Sequence, residues 1–173
     1  GFLVNRVLAA YMMSAMQRLE RGEPPELLDE VRGIAAGAEQ PFARVFAWQL
    51  IDEVWAQSQA ILREKCTALG VDRIGPAPAI VAQNLDLPPP HDGFRVVLRI
   101  RDKARGLQSL VVTEPGLIAA AGMNSARVAV AVNTLLQLRP CRDGLPVAFV
   151  VRGLLMQQDQ EGALAFLHEI KHA

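Results

Sequence analysis

"FRVVLRI", residues 94–100, is the stretch that decides the fold class. Val96, Leu98 and Ile100 alternate with Arg95, Val97 and Arg99, the period of a strand with one covered face. Downstream, "LQSLVVTE" (107–114), "GLIAAA" (116–121) and "RVAVAVN" (127–133) read as three more strands, divided by Pro115-Gly116 and by "GMNSA". Upstream, "AIVAQNLDL" (79–87) is a short apolar run that ends in polar residues. In "RVAVAVN" the bulky Val128, Val130 and Val132 share one face, which suits a helix layer. The small face, Ala129, Ala131 and Asn133, leaves room for a close approach and ends in an amide.

Helices flank this block on both sides. "VNRVLAAYMMSAMQRLE" (4–20) carries Val4, Leu8, Met12 and Leu19 on roughly one helical face. "RGEPPE" breaks it, and Pro24-Pro25 opens "PELLDEVRGIAAGA" (25–38). Pro41 opens a third helix, with Phe42, Phe46, Leu50 and Val54 at four-residue steps and Trp48, Ile51 and Trp55 widening the stripe. After the strands, "LPVAFVVRGLLMQ" (145–157) and "DQEGALAFLHEIKHA" (159–173) return to the helical period. Helices, then consecutive strands, then helices predict an α+β fold with helical layers on an antiparallel sheet.

Composition narrows the function classes. The 173 residues suffice for one domain with a proper core, and 18 basic residues balance 18 acidic ones. With no basic stripe and no aromatic–basic interleaving, nucleic acid is not an expected partner. No apolar run reaches membrane-spanning length, so no membrane span is expected. Two cysteines, Cys66 and Cys141, are too few for a disulfide scaffold. Gly1 at one end and an uncapped helical pattern at the other read as a piece of a longer protein. The compartment is not legible, with a cytoplasmic setting slightly favoured, and a homo-oligomer is compatible with the composition.

Two constellations could carry chemistry. His168-Glu169-Ile170-Lys171-His172 matches H-E-x-x-H, in which two histidines on one helical face bind zinc and the glutamate acts as base. No third ligand is singled out by spacing, and a solvated amphipathic helix end accounts for the same residues. His91, in "PPPHDGF", reads as an exposed loop residue. The other constellation centres on Cys66 in "REKCTALG" (63–70), a thiol behind three charged residues. Were the preceding peptide bond cut, Cys66 would carry a thiol and a free α-amino group with a pKa of about 7.7–8.0, hence nucleophile and base together. Such a site also wants an acceptor for the amine and donors for an oxyanion, for which Asp86 and Asn133 are the candidates. Packing for Cys66 and turn chemistry for Asp86, ahead of Pro88, are the plain alternatives.

The segments "CTALG", "VAQNLDLP", "LRI", "EPGLIAAAGMNSARVAVAVNTLL" and "LPVAFVVRGLL", in that order, resemble the C45 peptidase family. These are N-terminal nucleophile (Ntn) hydrolases of the acyl-CoA:6-aminopenicillanic acid acyltransferase type, distantly related to choloylglycine hydrolases. The resemblance covers the chain from Cys66 onward, and "LLDEVRGIAAGAEQPFARVFAWQLIDEV" is similar to the family's helical pro-segment. It implies a helical pro-segment over 1–65 and the N-terminal part of an αββα catalytic sandwich over 66–173, the remainder lying beyond Ala173. It further implies self-cleavage at Lys65–Cys66 aided by Thr67, Cys66 as nucleophile, Asp86 as orienting group and Asn133 in the oxyanion hole. The expected activity is that of a cysteine amidohydrolase or acyltransferase on a small-molecule amide or acyl-CoA-like substrate, with neither cofactor nor metal. Lys65 and Arg127 stand where that family often has small residues or glycine. A zinc hydrolase using His168, Glu169 and His172, and a non-catalytic homologue, are the alternatives.

Overall fold

The computed structural model describes residues 13, 17, 24–57, 66–87, 91–133 and 144–170. Three helices come first: α1 (Pro25–Gly37), α2 (Phe42–Trp48) and α3 (Ile51–Gln57). A two-stranded antiparallel hairpin follows, β1 (Thr67–Val71) and β2 (Ile80–Asn84). Next comes a four-stranded antiparallel sheet in sequential order, β3 (Val96–Asp102), β4 (Leu107–Thr113), β5 (Ala121–Asn124) and β6 (Ala129–Val130). The helices α4 (Val147–Leu154) and α5 (Gln160–Glu169) complete the described chain. The fold is therefore α+β with antiparallel sheets, as the order of periodicities predicts. The helix expected at 4–20 lies almost wholly outside the described residues, as do Lys65 and Cys141.

Local chemistry sets the helix ends. Pro25 occupies the first turn of α1, where a missing N–H is harmless, and Glu26 adds a carboxylate at the positive end of the dipole. Asp159 caps α5 by accepting from the Gly162 N–H at 2.7 Å. The helix expected to run unbroken from Pro41 past Val54 is instead divided at Gln49–Leu50. There Gln49 and Leu50 donate to Phe46 and Ala47 three residues back, which tightens the turn. The cause is the Gln49 side chain, fully buried and bonded across the molecule to the Gly116 carbonyl (2.6 Å) and the Ile118 N–H (2.9 Å).

The same bonds explain a second departure. "GLIAAA" is not a strand; β5 begins only at Ala121 and runs through the Gly-Met-Asn expected to be a turn. Leu117, Ile118 and Ala119 are buried in a connection whose polar groups are met by Gln49 and by the Thr113 hydroxyl, which donates to the Leu117 carbonyl at 2.7 Å. Gly116 makes that path open to the chain: its φ of 93° is left-handed, and a Cβ there would sit 3.3 Å from the Trp48 ring. Strand β6 is also shorter than "RVAVAVN", covering only Ala129–Val130.

Helix α4 is apolar apart from Arg152, because it is packed on two sides. Ala148, Phe149 and Leu154 join Leu27, Leu28, Val31, Phe46, Leu50 and Phe166 in the main core. Val147, Val151 and Leu155 meet Val111, Ala119, Val130 and Val132 from the sheet. The valines of 128–132 thus turn toward the helices, as their alternation predicts. The opposite face of the four-stranded sheet is open: Val97, Leu110 and Met123 are each about half exposed or more. Among the described residues, members of 27–50, 117–128 and 145–170 share one core.

The crossing of α4 and α5 depends on Gly153. A Cβ at this position would lie 2.4 Å from Cζ of Phe166, a ring only 9 % exposed. Gly153→Ala is therefore expected to lower stability by about 1–3 kcal/mol in urea unfolding, although alanine is ordinarily the better helix former. A stabilised Gly153→Ala variant would show that α5 can retreat freely.

Candidate functional site

The β1–β2 ladder pairs Thr67 with Asn84 and Ala68 with Gln83. Cys66, just ahead of β1 and partly buried, and Asp86, two residues past β2, consequently lie at the same end of the hairpin. Gln83 ties this end to the segment after β6. Its amide donates to the Val132 carbonyl while its oxygen accepts from the Val132 N–H at 3.2 Å, so a side chain mimics a strand neighbour. Asn133 follows directly and is exposed. The ladder thus sets Cys66 and Asp86 at one end of the hairpin, and Gln83 bonds that end to the residue before Asn133.

The match has limits within this geometry. Continued one residue beyond the ladder, the pleat would put Cys66 on the face of Gln83 and Val132, and Asp86 on the face of Asn84. Asp86 accepts from Asn84 Nδ2 at 2.6 Å. Among the described residues no hydrogen bond joins Cys66 to Asp86 or to Asn133. In the uncut chain the nitrogen that Asp86 would orient is a peptide nitrogen. Arg95 holds the path into this corner by donating to the Leu85 carbonyl at 3.1 Å.

The turn between β5 and β6 is structural. Asn124 is buried and uses all four of its amide hydrogen-bonding sites, and Ser125 closes the turn against Gln108. Arg127 takes a φ of 68°, the left-handed region that favours glycine.

The helix on which the H-E-x-x-H reading relies, α5, ends at Glu169, and Ile170 is already extended (φ −89°, ψ 150°), so the helix does not carry the spacing on to His172, which lies outside the described residues. Among the described residues no group of three or more His, Cys, Asp or Glu side chains is disposed to hold a metal ion. No described helix is long and apolar enough to cross a membrane.

His91 corrects the sequence reading most sharply. Its side chain is only 13 % exposed, with Nδ1 at 2.8 Å from Glu114 Oε2. Trp48 stacks parallel to it at 6.2 Å and Trp55 meets it edge-on at 5.1 Å. Asp52 lies close enough to Glu114 that the two negative charges oppose each other, and burial with this repulsion raises the Asp52 pKa. Its neighbour Glu53 is pushed up to about 7, chiefly by burial, while accepting from the Val147 N–H at 2.8 Å. Local polarity made His91 look solvated; the two tryptophans that cover it come from helices some forty residues away. Glu53 had a legible signal. It stands seven residues after Phe46, two helical turns along the apolar stripe, where a carboxylate is out of place.

No protein-family model matches the chain, and no curated protein is significantly similar to it.

Proposed function

We propose that the chain is part of a self-processing cysteine Ntn hydrolase or acyltransferase of the C45 type, built as an αββα sandwich and matured by cleavage before Cys66. The observation that supports the reading is the β1–β2 register, which sets Cys66 and Asp86 at one end of the hairpin, together with the paired bonds of Gln83 to Val132, the residue before Asn133. Scission frees the Cys66 amine. The amine takes the thiol proton, the sulfur adds to an amide or thioester carbonyl, and N–H donors at Asn133 receive the oxyanion. Collapse expels the amine or thiol leaving group, which takes up the proton, and leaves an acyl-enzyme. Water or an acceptor amine then releases the acyl group. Asp86 orients the new ammonium once the backbone is cut. Partial exposure of Cys66 suits a sulfur that must meet a substrate.

Intact mass of the expressed full-length gene product tests this. Two fragments divided at Lys65/Cys66 are expected in the wild type and a single chain in Cys66→Ala, with amidase activity lost. The fragments should co-elute, because described residues of 27–50, 117–128 and 145–170 share one core. An uncleaved yet active chain sinks the mechanism. An uncleaved chain whose Cys66 reacts with iodoacetamide no faster than a free thiol identifies a non-catalytic homologue.

A further inference from the structure

Helix α3 is joined to the rest of the molecule through ionisable groups held away from water. Glu53 is 6 % exposed; one oxygen accepts from the Val147 N–H, and the other, Oε2, is buried with no partner. Asp52 precedes it and faces Glu114, which holds His91 between Trp48 and Trp55. Among the described residues, no lysine or arginine acts on Asp52 or Glu53. From α2 and its C-cap come the neutral Trp48 and Gln49, while Arg44 of α2 is exposed and donates to Gln40. The only charged residue of α4 is Arg152, which is committed to Glu30. The connection after β4 offers Glu114, and the one before β3 offers His91. Two adjacent carboxyl groups withdrawn from water, with a further carboxylate facing one of them, resist losing their protons.

We propose that Glu53, with Asp52 beside it, forms a proton-operated joint, lined by the Glu114–His91 pair, that seats α3 on the N-terminus of α4 while protons are bound and releases it as they leave. A protonated Glu53 can still accept the Val147 N–H through its carbonyl oxygen, and it places no charge in the cluster. An ionised Glu53 keeps that bond but confronts Asp52 with a buried like charge and leaves Oε2 anionic and unpartnered. Opening lets both carboxylates reach water. The sign follows from linkage: the open state ionises near the ordinary 4.5 and the closed state near 7, so opening grows with pH between these values and levels off above. The gap caps the Glu53 contribution at about 300-fold in the opening equilibrium. Trp48 and Trp55, the molecule's two tryptophans, flank the joint and move with it.

Amide hydrogen exchange of the full chain from pH 5 to 8.5, corrected for the intrinsic rate, tests the joint. Protection of the Val147 amide should fall by up to about tenfold per pH unit between 5 and 7 and flatten above. Amides of β4 such as Val111 should stay far better protected throughout. Glu53→Gln, which keeps an oxygen for Val147, should remove most of the dependence, and Asp52→Asn should only shrink it. Three outcomes overturn the proposal: Val147 protection indifferent to pH, a slope that survives in Glu53→Gln, or Val147 opening only when Val111 does. The wild-type measurement decides the first and third even if a variant fails to fold.

Discussion

Replacing Asn124 with alanine is expected to lower stability by roughly 3–5 kcal/mol, read from the urea midpoint at constant slope. The residue is 4 % exposed and saturated. Its Nδ2 donates to the carbonyls of Leu155 (3.1 Å) and Gln157 (2.8 Å), and its Oδ1 accepts from the N–H groups of Ala126 and Val128, both at 3.0 Å. Truncation leaves three backbone groups wanting partners, each worth about 1–3 kcal/mol when buried, and leaves the Leu155 carbonyl only the Ser109 hydroxyl at 3.3 Å, with water recovering part of the loss. Set against a typical total of about 5–15 kcal/mol, that is a large share. Asn124→Asp sharpens the test, since it turns the two-proton donor into an anion facing two carbonyls while keeping the shape. It should be at least as damaging as alanine at neutral pH. A loss below about 1 kcal/mol in both variants would mean the turn stands without its amide.

Glu30→Ala should cost about 3–5 kcal/mol, while Arg152→Met costs less. The asymmetry follows from exposure: the Arg152 side chain is 3 % exposed, whereas that of Glu30 is 31 % exposed. Glu30 receives Arg152 Nε at 2.8 Å and Nη2 at 2.6 Å, a bidentate fork between α1 and α4. Removing the carboxylate strands a guanidinium inside the core; removing the guanidinium leaves a carboxylate that water can reach. The double variant Glu30→Ala/Arg152→Met should therefore recover stability relative to Glu30→Ala. A thermodynamic cycle over the four proteins measures this, and additive losses would refute a desolvated pair.

How much was legible can be judged residue by residue. Pro24-Pro25 and the stripe of Leu27, Leu28, Val31 and Ala35 announce α1, and the structure buries those four. The alternation in 96–100 announces β3, and the valines of 128–132 face the helices as expected. The break at Gln49, the buried path through Leu117–Ala119 and the burial of His91 were not legible. In each case the deciding contact joins residues far apart in the chain, and no local pattern reports it. At the candidate site, the chemistry of Cys66, Asp86 and Asn133 was readable from residue type. That Gln83 links β2 to the segment ending in Asn133 was not, because a glutamine in a strand is unremarkable until its partner is known.

By itself the sequence determined the class of fold: the spacing of apolar side chains dictates which face each helix or strand must hide from water. Only the tertiary structure decided where helices stop, which polar groups are sealed in and which distant residues meet at the hairpin corner. The physical reason is that hydrophobic periodicity is a property of neighbours in the chain. Desolvation and hydrogen-bond satisfaction are properties of neighbours in space.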